Sequence, residues 1–289
     1  MKSLFKKSRK KAAFTIIELL TVMSIIVILI GLLVPALNMA KRYAKMVRQK
    51  AQFHAMDAAI ELYSNEFDGY PPSGAMDPTG QSYCGAMKLC ETMMGQDLMG
   101  VHSNSVFRRD GMDATGTRLL YPSPPSSDNL KARKGPYLPS ESVSAYRLGK
   151  IFDDTGDFLR QSFVLCDVYT RQMRTGEKIG MPILYYKADT ANNLHDPNTL
   201  PTPIDNKGNI YNYWDNQSVV ALGKPWEAGE LSTHKLMDPL RFYKNTRSDK
   251  ITTTSRPFRV DSYILISAGF DGEYGTADDV CNFEWKYRE

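Results

Sequence analysis

The sequence predicts an α+β fold in which a long N-terminal helix packs on a small antiparallel sheet, with loop insertions in the domain that carries the sheet. Two observations support this fold class. An apolar run near the N-terminus continues into helically spaced apolar residues, and three later segments rich in β-branched and aromatic residues are bounded by turns. The chain has 289 residues, 42% of them hydrophobic, and 4 Cys, which excludes a disordered chain, a collagen-like fibre and a disulfide-dense miniprotein.

The first thirteen residues form a basic leader that contains no acidic residue. Its cations are Lys2, Lys6, Lys7, Arg9, Lys10 and Lys11. The rest of the chain carries 30 basic and 32 acidic residues, so the positive balance belongs to the leader and not to a domain surface. We therefore expect no nucleic-acid partner.

Residues 14–37 are predicted to cross a membrane as a helix. This run contains twenty-four residues, and Glu18 is its only charged residue. A hydrocarbon core about 30 Å thick needs roughly 20 apolar residues, whereas the apolar part of a signal peptide has only about 7 to 15. The basic leader favours a cytoplasmic N-terminus, so the chain beyond about residue 40 is expected outside the cytoplasmic membrane.

Glu18 is costly in such a segment. An acidic side chain near mid-membrane costs about 2.5–3.5 kcal/mol on insertion scales, and less towards the ends. Cleavage between Ala13 and Phe14 would create a cationic α-amino group four residues from Glu18. In a packed assembly, the amino group of one subunit could then meet the carboxylate of the next, which predicts association of subunits in lipid.

Residues 10–20, Lys-Lys-Ala-Ala-Phe-Thr-Ile-Ile-Glu-Leu-Leu, resemble the class III signal of type IV pilins and type II secretion pseudopilins. The resemblance implies that a prepilin peptidase cuts between Ala13 and Phe14 and N-methylates Phe14. Glu18 and Pro35 match the fifth and twenty-second positions of the mature family sequence, and the long helix commonly bends or melts at the latter. Ala13 stands where the family prefers Gly.

The resemblance implies a pilin-like subunit of a pseudopilus-type filament in a type II protein secretion system, and no enzyme. The implied location is the inner membrane, with a single span, a cytoplasmic N-terminus and a periplasmic or extracellular domain. The implied partners are further copies of the chain, prepilin peptidase, other pseudopilins, the inner-membrane assembly platform and membrane lipid. Two alternatives stay open, namely a type IV pilus subunit for adhesion, motility or DNA uptake, and a membrane-anchored binding module that does not polymerise.

Residues 38–66 are predicted to continue the helix beyond the membrane. One face carries small apolar residues at steps of three and four: Ala40, Ala44, Val47, Ala51, Ala55, Ala58 and Leu62. This face could pack on the chain's own domain or on a neighbouring subunit. Asp68-Gly69-Tyr70-Pro71 is expected to end the helix, because Gly and the residue before Pro favour non-helical dihedral angles.

Residues 67–289 are predicted to form the extracytoplasmic domain, with insertions at about 73–134 and 187–257. The first insertion is rich in Pro, Gly, Ser and Asp and is expected to contain a short helix near residues 85–93. The second is rich in Asn, Asp and Pro. The predicted strands are residues 162–169, 181–186 and 262–268.

An acidic loop follows the last predicted strand, with four acids among residues 271–279. Such a loop favours a cation, and Ca²⁺ takes six to eight oxygen ligands from carboxylates and carbonyls. The loop resembles the C-terminal calcium site of major pseudopilins. The resemblance implies Asp271 and Asp278 as carboxylate ligands, with Asp279 and the Ser267 carbonyl as weaker choices. The alternative is a solvated acidic turn.

The remaining candidate residues carry no defined chemistry. Cys84 and Cys90 could form a local disulfide, and Cys166 and Cys281 could pair or stay buried, so all three connectivities remain open. The chain has no Gly-x-Ser-x-Gly motif, no Walker loop and no dinucleotide fingerprint, so no enzymatic activity is predicted.

Overall fold

The computed structural model describes residues 15–139, 144–199, 201–227, 233–251 and 253–288. The chain divides into two compact units, residues 1–44 and residues 45–289. The leader and Phe14 lie outside the described residues.

Helix α1 spans Ile16–Phe67 and continues through Pro35 without a break. The predicted helix ends one residue earlier. Asp68 ends the helix by adopting a left-handed conformation with φ +54°, and the Gly69 N–H donates back to the Ser64 carbonyl at 3.2 Å. Asp is one of the few non-glycine residues that adopt this conformation readily.

The first unit exposes its apolar side chains. Every described residue from 15 to 44 is exposed, including the Ile, Leu and Val residues that dominate this part of α1. By length and composition, α1 is long enough and apolar enough to cross a membrane. A contiguous apolar surface of this extent indicates contact with lipid or with a partner.

The part of α1 in the second unit has two apolar faces, and only one is buried. Phe53, Met56, Ile60 and Tyr63 enter the domain core. The small-residue face is exposed instead, through Val47, Ala51, Ala55, Ala58 and Leu62. Of the two alternatives for this face, packing on the chain's own domain is therefore wrong. Longer side chains on the opposite face bury more apolar area and fill the core.

The other helices and strands are short. The helices are α2 (Gly85–Met94), α3 (Ser127–Lys131), α4 (Leu148–Ile151), α5 (Gln217–Val220) and α6 (Pro239–Asn245), with 3₁₀ helices at Tyr213–Asn216 and Lys235–Met237. The strands are β1 (Val101–His102), β2 (Arg133–Lys134), β3 (Ser144–Arg147), β4 (Phe163–Cys166), β5 (Arg171–Gln172), β6 (Lys178–Ile179), β7 (Leu184–Lys187), β8 (Tyr263–Ser267) and β9 (Val280–Cys281). All their pairings are antiparallel. The architecture agrees with an α+β class.

Instead of one predicted sheet, the described residues form four small ones. Strands β3 and β4 form one pair, and β8 lies between β7 and β9 in a three-stranded sheet. These two sheets meet at an isolated antiparallel bridge between Cys166 and Pro182. Bonds on either side still join the sheets, since the Ile183 N–H donates to the Leu165 carbonyl at 2.7 Å and the Asp167 N–H to the Met181 carbonyl at 2.9 Å.

The first insertion contributes to the core. Helix α2 packs against β4 and β7, and all ten of its residues are buried. Cys84, Cys90, Cys166 and Cys281 are buried free thiols. The expectation that Cys84 and Cys90 could form a local disulfide is therefore wrong. Six residues of helix rise about 9 Å, which exceeds the Cα separation of about 7 Å that a disulfide tolerates.

Candidate functional site

The predicted processing site and the predicted assembly residues lie at the start of the chain. Ala13 and Phe14 fall outside the described residues. Glu18 lies in the first turn of α1, where its Oε2 accepts from the N–H of Thr15 at 2.9 Å and from the Thr15 hydroxyl at 2.8 Å. Among the residues from 15 onward that the structure describes, no cation pairs with Glu18.

The acidic loop is closed at its base by the pairing of β8 and β9, which places Ser267 opposite Val280. Within the loop, the Asp271 N–H donates to Oδ2 of Asp278 at 2.9 Å. Gly269 has φ +65°, and a Cβ there would lie only 2.1 Å from the Asp278 carbonyl oxygen. Glycine is thus required for the two arms of the loop to approach each other.

Asp271 and Asp278 lie together, as the sequence resemblance implies. Oδ1 of Asp271 accepts from the Glu273 N–H at 2.8 Å, and Oδ1 of Asp278 accepts from the Thr276 hydroxyl at 2.7 Å. Burial and the neighbouring Asp278 carboxylate raise the pKa of Asp271. Burial also opposes ionisation of Asp278, but bonds from Thr276 and Asp271 outweigh it and lower the pKa of Asp278. The two acids therefore form an interacting pair in which Asp271 is partly buried and Asp278 is exposed.

Asp279 and the Ser267 hydroxyl are engaged in bonds inside the protein. The carboxylate of Asp279 accepts from the Gly275 N–H at 2.8 Å and from the Thr276 N–H at 3.3 Å, and burial raises its pKa well above the usual range. The Ser267 hydroxyl donates to Oδ2 of Asp167 at 2.8 Å and accepts from the Gly269 N–H at 3.3 Å. These bonds stabilise the conformation of the acidic loop.

The donor set fits a calcium ion at Asp271 and Asp278. Two neighbouring carboxylates that repel each other gain from a cation, and loop carbonyls are oxygen donors of the kind that Ca²⁺ accepts. Within the described ranges, no group of three or more His, Cys, Asp or Glu side chains surrounds a common point. Two carboxylates are thus the side-chain ligands available, and backbone oxygens would complete the set.

Asp167 supports this loop and was not predicted. It is fully buried, and its Oδ1 accepts from the N–H groups of Tyr169 and Met181, both at 3.1 Å. Burial raises the pKa of Asp167 to about 7. A lone carboxylate inside the apolar segment 162–169 is the signal that could have identified it, because buried acids need such donors.

Residues of the second insertion also reach the acidic loop. Lys224 Nζ lies 2.9 Å from Glu273 Oε2, and the Tyr274 N–H donates to Nδ1 of His234 at 3.2 Å. About 40 residues or more separate these partners in the sequence, and no local spacing predicts such contacts.

A cleft of about 330 Å³ lies where both insertions leave the core. The Ser73 hydroxyl donates to Asp215 on its wall, and burial raises the pKa of Asp215 to about 7. Nearby, the buried Lys88 ammonium donates to the carbonyls of Gly74 and Met76 at 2.7 and 2.8 Å. These buried groups hold the start of the first insertion against the second.

Comparison with known proteins adds no further assignment, because no protein-family model, curated protein or solved structure matches this chain.

Proposed function

We propose that this chain is a structural subunit of a pseudopilus-type filament of a type II secretion system. In this proposal, prepilin peptidase cuts between Ala13 and Phe14, and the apolar first part of α1 holds the subunit in the cytoplasmic membrane. The observation that carries the proposal is the placement of Glu18, the single carboxylate of the exposed segment 15–44, at the fifth position counted from Phe14.

The electrostatics of Glu18 support assembly. Its described partners are both in Thr15, and these bonds leave the negative charge uncompensated by any described cation. Charged groups inside membranes gain by pairing with one another. After cleavage, the α-amino group of Phe14 on a neighbouring subunit supplies the opposite charge. Each added subunit then brings one cation, the α-amino group, and one anion, Glu18, to the packed helices of the filament.

The exposed face of α1 in the second unit supports the same conclusion. Val47, Ala51, Ala55 and Ala58 are small, and small side chains let helices approach closely. This face lies opposite the buried one, so a neighbour can use it without disturbing the domain core. A repeated contact between unlike surfaces that does not close on itself generates a filament.

The proposed location and partners follow from this role. The basic leader favours a cytoplasmic N-terminus, with the domain on the outer side of the cytoplasmic membrane. The leader meets prepilin peptidase, and the processed subunit meets other pseudopilins, the assembly platform and lipid. The proposed role is mechanical, because a growing filament pushes secreted proteins and catalyses no reaction.

We also propose that Asp271 and Asp278 hold a structural Ca²⁺ with oxygens of the loop backbone. The ion would neutralise the repulsion between the two carboxylates. Asp279 and Asp167 would keep the loop in shape through their bonds to Gly275, Thr276 and Ser267.

Mass spectrometry of the mature N-terminus, on protein taken from its native membrane, tests the processing. The expected chain begins with N-methylated Phe14. An intact basic leader on the mature protein would contradict the proposal.

Cross-linking in membranes tests assembly. We expect ladders of subunits in the unchanged protein and their loss in Glu18→Ala. The control is Thr21→Ala, because the Thr21 hydroxyl donates to carbonyls of its own helix, those of Ile17 and Glu18. A monomer throughout would favour the anchored binding module. A surface fibre that disappears on deletion, while secretion persists, would favour a type IV pilus subunit.

A further inference from the structure

Two described stretches of the second insertion, residues 223–227 and 233–237, contact the acidic loop residue by residue. We call these two stretches the clamp. The loop residues that the clamp contacts are consecutive: Gly272, Glu273, Tyr274 and Gly275. They form the segment between the two carboxylates of the proposed calcium site, Asp271 and Asp278.

Trp226 covers the beginning of this segment. A Cβ on Gly272 would lie 2.6 Å from Cη2 of Trp226, so the indole packs directly on the glycine backbone, which has φ +71°. Arg171 lies on the Trp226 ring with its guanidinium carbon 4.7 Å from the ring centroid. The same guanidinium donates to the Phe270 carbonyl at 3.1 Å. Trp226 is thereby fixed between Arg171 and the loop.

The next loop residue is held by an ion pair. Lys224 Nζ lies 2.9 Å from Oε2 of Glu273 and 3.7 Å from Oε2 of Glu227. The Lys224 side chain is only 13% exposed, which limits the screening of this pair by water. Glu273 is thus directed towards the clamp.

The backbone of Tyr274 is bonded on both sides. Its N–H donates to Nδ1 of His234 at 3.2 Å, and its carbonyl accepts from the Leu236 N–H at 3.0 Å. Nε2 of His234 lies 3.0 Å from the Gly223 carbonyl. These contacts define a neutral imidazole that donates through Nε2 and accepts through Nδ1. Backbone atoms of Leu236 also lie within 3.2 Å of the position that a Cβ on Gly275 would take.

We infer that the clamp holds the acidic loop in its metal-binding conformation before any ion arrives, and that Trp226 is a positioning residue for calcium. This inference rests on the proposed calcium site. A loop whose central segment is fixed on one side keeps Asp271 and Asp278 at a set spacing. Calcium binding then loses less conformational freedom than binding to a mobile loop.

The test compares Trp226→Ala with Trp214→Ala in the full chain reconstituted in detergent micelles. Trp214 is a matched control, because it lies in the same insertion and is partly buried, with its indole N–H bonded to the Pro201 carbonyl at 2.8 Å. Hydrogen exchange of the metal-free protein reports on the amides of residues 272–276. Calorimetric titration with Ca²⁺ alone reports on affinity.

We expect Trp226→Ala to accelerate amide exchange in the metal-free loop and to weaken calcium binding about tenfold to a hundredfold, the range typical of supporting residues around metal sites. Trp214→Ala should change neither quantity. If Trp226→Ala fails to fold, Trp226→Phe replaces it and is expected to show the same two changes at smaller size.

Unchanged exchange in the Trp226 variant, or unchanged calcium affinity, would overturn the inference alone. Failure of the unchanged protein to bind calcium would instead overturn the calcium part of the proposed function, and the inference with it. The two failures are therefore distinguishable.

Discussion

The backbone N–H of Asp271 donates to Oδ2 of Asp278 across 2.9 Å, which joins two residues seven positions apart in the chain. The bond connects the arms of the acidic loop and places the two carboxyl groups beside each other. Burial and the neighbouring Asp278 carboxylate raise the pKa of Asp271.

The first prediction concerns calcium and Asp271. Asp271→Ala should abolish the rise in melting temperature that calcium gives to the unchanged protein, because the site loses one of its two carboxylates. At a calcium concentration of one hundred times the Kd, the lost stabilisation is about 2.7 kcal/mol. Thermal melts with calcium and with chelator measure it. Asp128→Ala is the control, since Asp128 is exposed on α3. A melting shift of the same size in chelator would contradict the calcium site.

The second prediction concerns Asp167 and pH. Its pKa rises from 3.8 unfolded to about 7 folded, so between these values the folded protein binds more protons. Stability should therefore fall as pH rises from about 4 to about 7, by on the order of 4 kcal/mol from this group. Asp167→Asn should remove this part of the pH dependence of stability. Above pH 7, the variant should be more stable than the unchanged protein. Denaturant unfolding across pH measures the difference, and equal slopes in the two proteins would exclude it.

The third prediction concerns His195, whose effect on the pH dependence of stability has the opposite sign to that of Asp167. Burial lowers the pKa of His195 from 6.5 to about 4, and Nε2 lies 3.0 Å from the Tyr243 carbonyl. Since the unfolded chain binds the proton first, stability should be lost as pH falls from 6.5 to about 4, by on the order of 3 kcal/mol. His195→Gln should flatten this part of the acid-side slope. The exposed His54, replaced by Gln, should leave it intact.

The fourth prediction separates the two apolar faces of α1. Ala55→Lys on the exposed face should change the free energy of unfolding by no more than about 0.5 kcal/mol, yet weaken subunit cross-linking in membranes. Ile60→Ala on the buried face should cost about 2–5 kcal/mol because it leaves a cavity in the core. Denaturant unfolding and cross-linking of both variants measure the contrast. Equal destabilisation by the two changes would show that both faces support the monomer.

Local patterns predicted the main elements and the acidic loop, whereas the choice of Asp271 and Asp278 within that loop came from the resemblance to pseudopilins. Periods of three and four residues predicted helix α1, β-branched segments predicted β4, β7 and β8, and the crowding of acids after β8 indicated the loop in which Asp271 meets Asp278. Each of these features depends on residues close together in the chain. Short-range dihedral and burial preferences are therefore sufficient to reveal them.

Other features depend on distant residues and could not be read locally. Two faces of α1 have the same period, and the volume available in the core decides that Phe53 and Ile60 are buried while Ala55 is exposed. The bridge between Cys166 and Pro182 depends on which strand lies beside Pro182. The contact of Trp226 with Gly272 joins segments 46 positions apart, and only the folded chain brings them together.

The clamp also makes the conformation of one segment depend on another. Because the loop's central residues are held by a segment that precedes β8 in the chain, the conformation of the C-terminal hairpin depends on the folded second insertion. Closing the chain between these distant segments costs conformational entropy, which the contacts of the clamp must offset. A change that unfolds the second insertion should therefore also loosen the C-terminal loop, although the two segments lie about 40 residues or more apart in the chain.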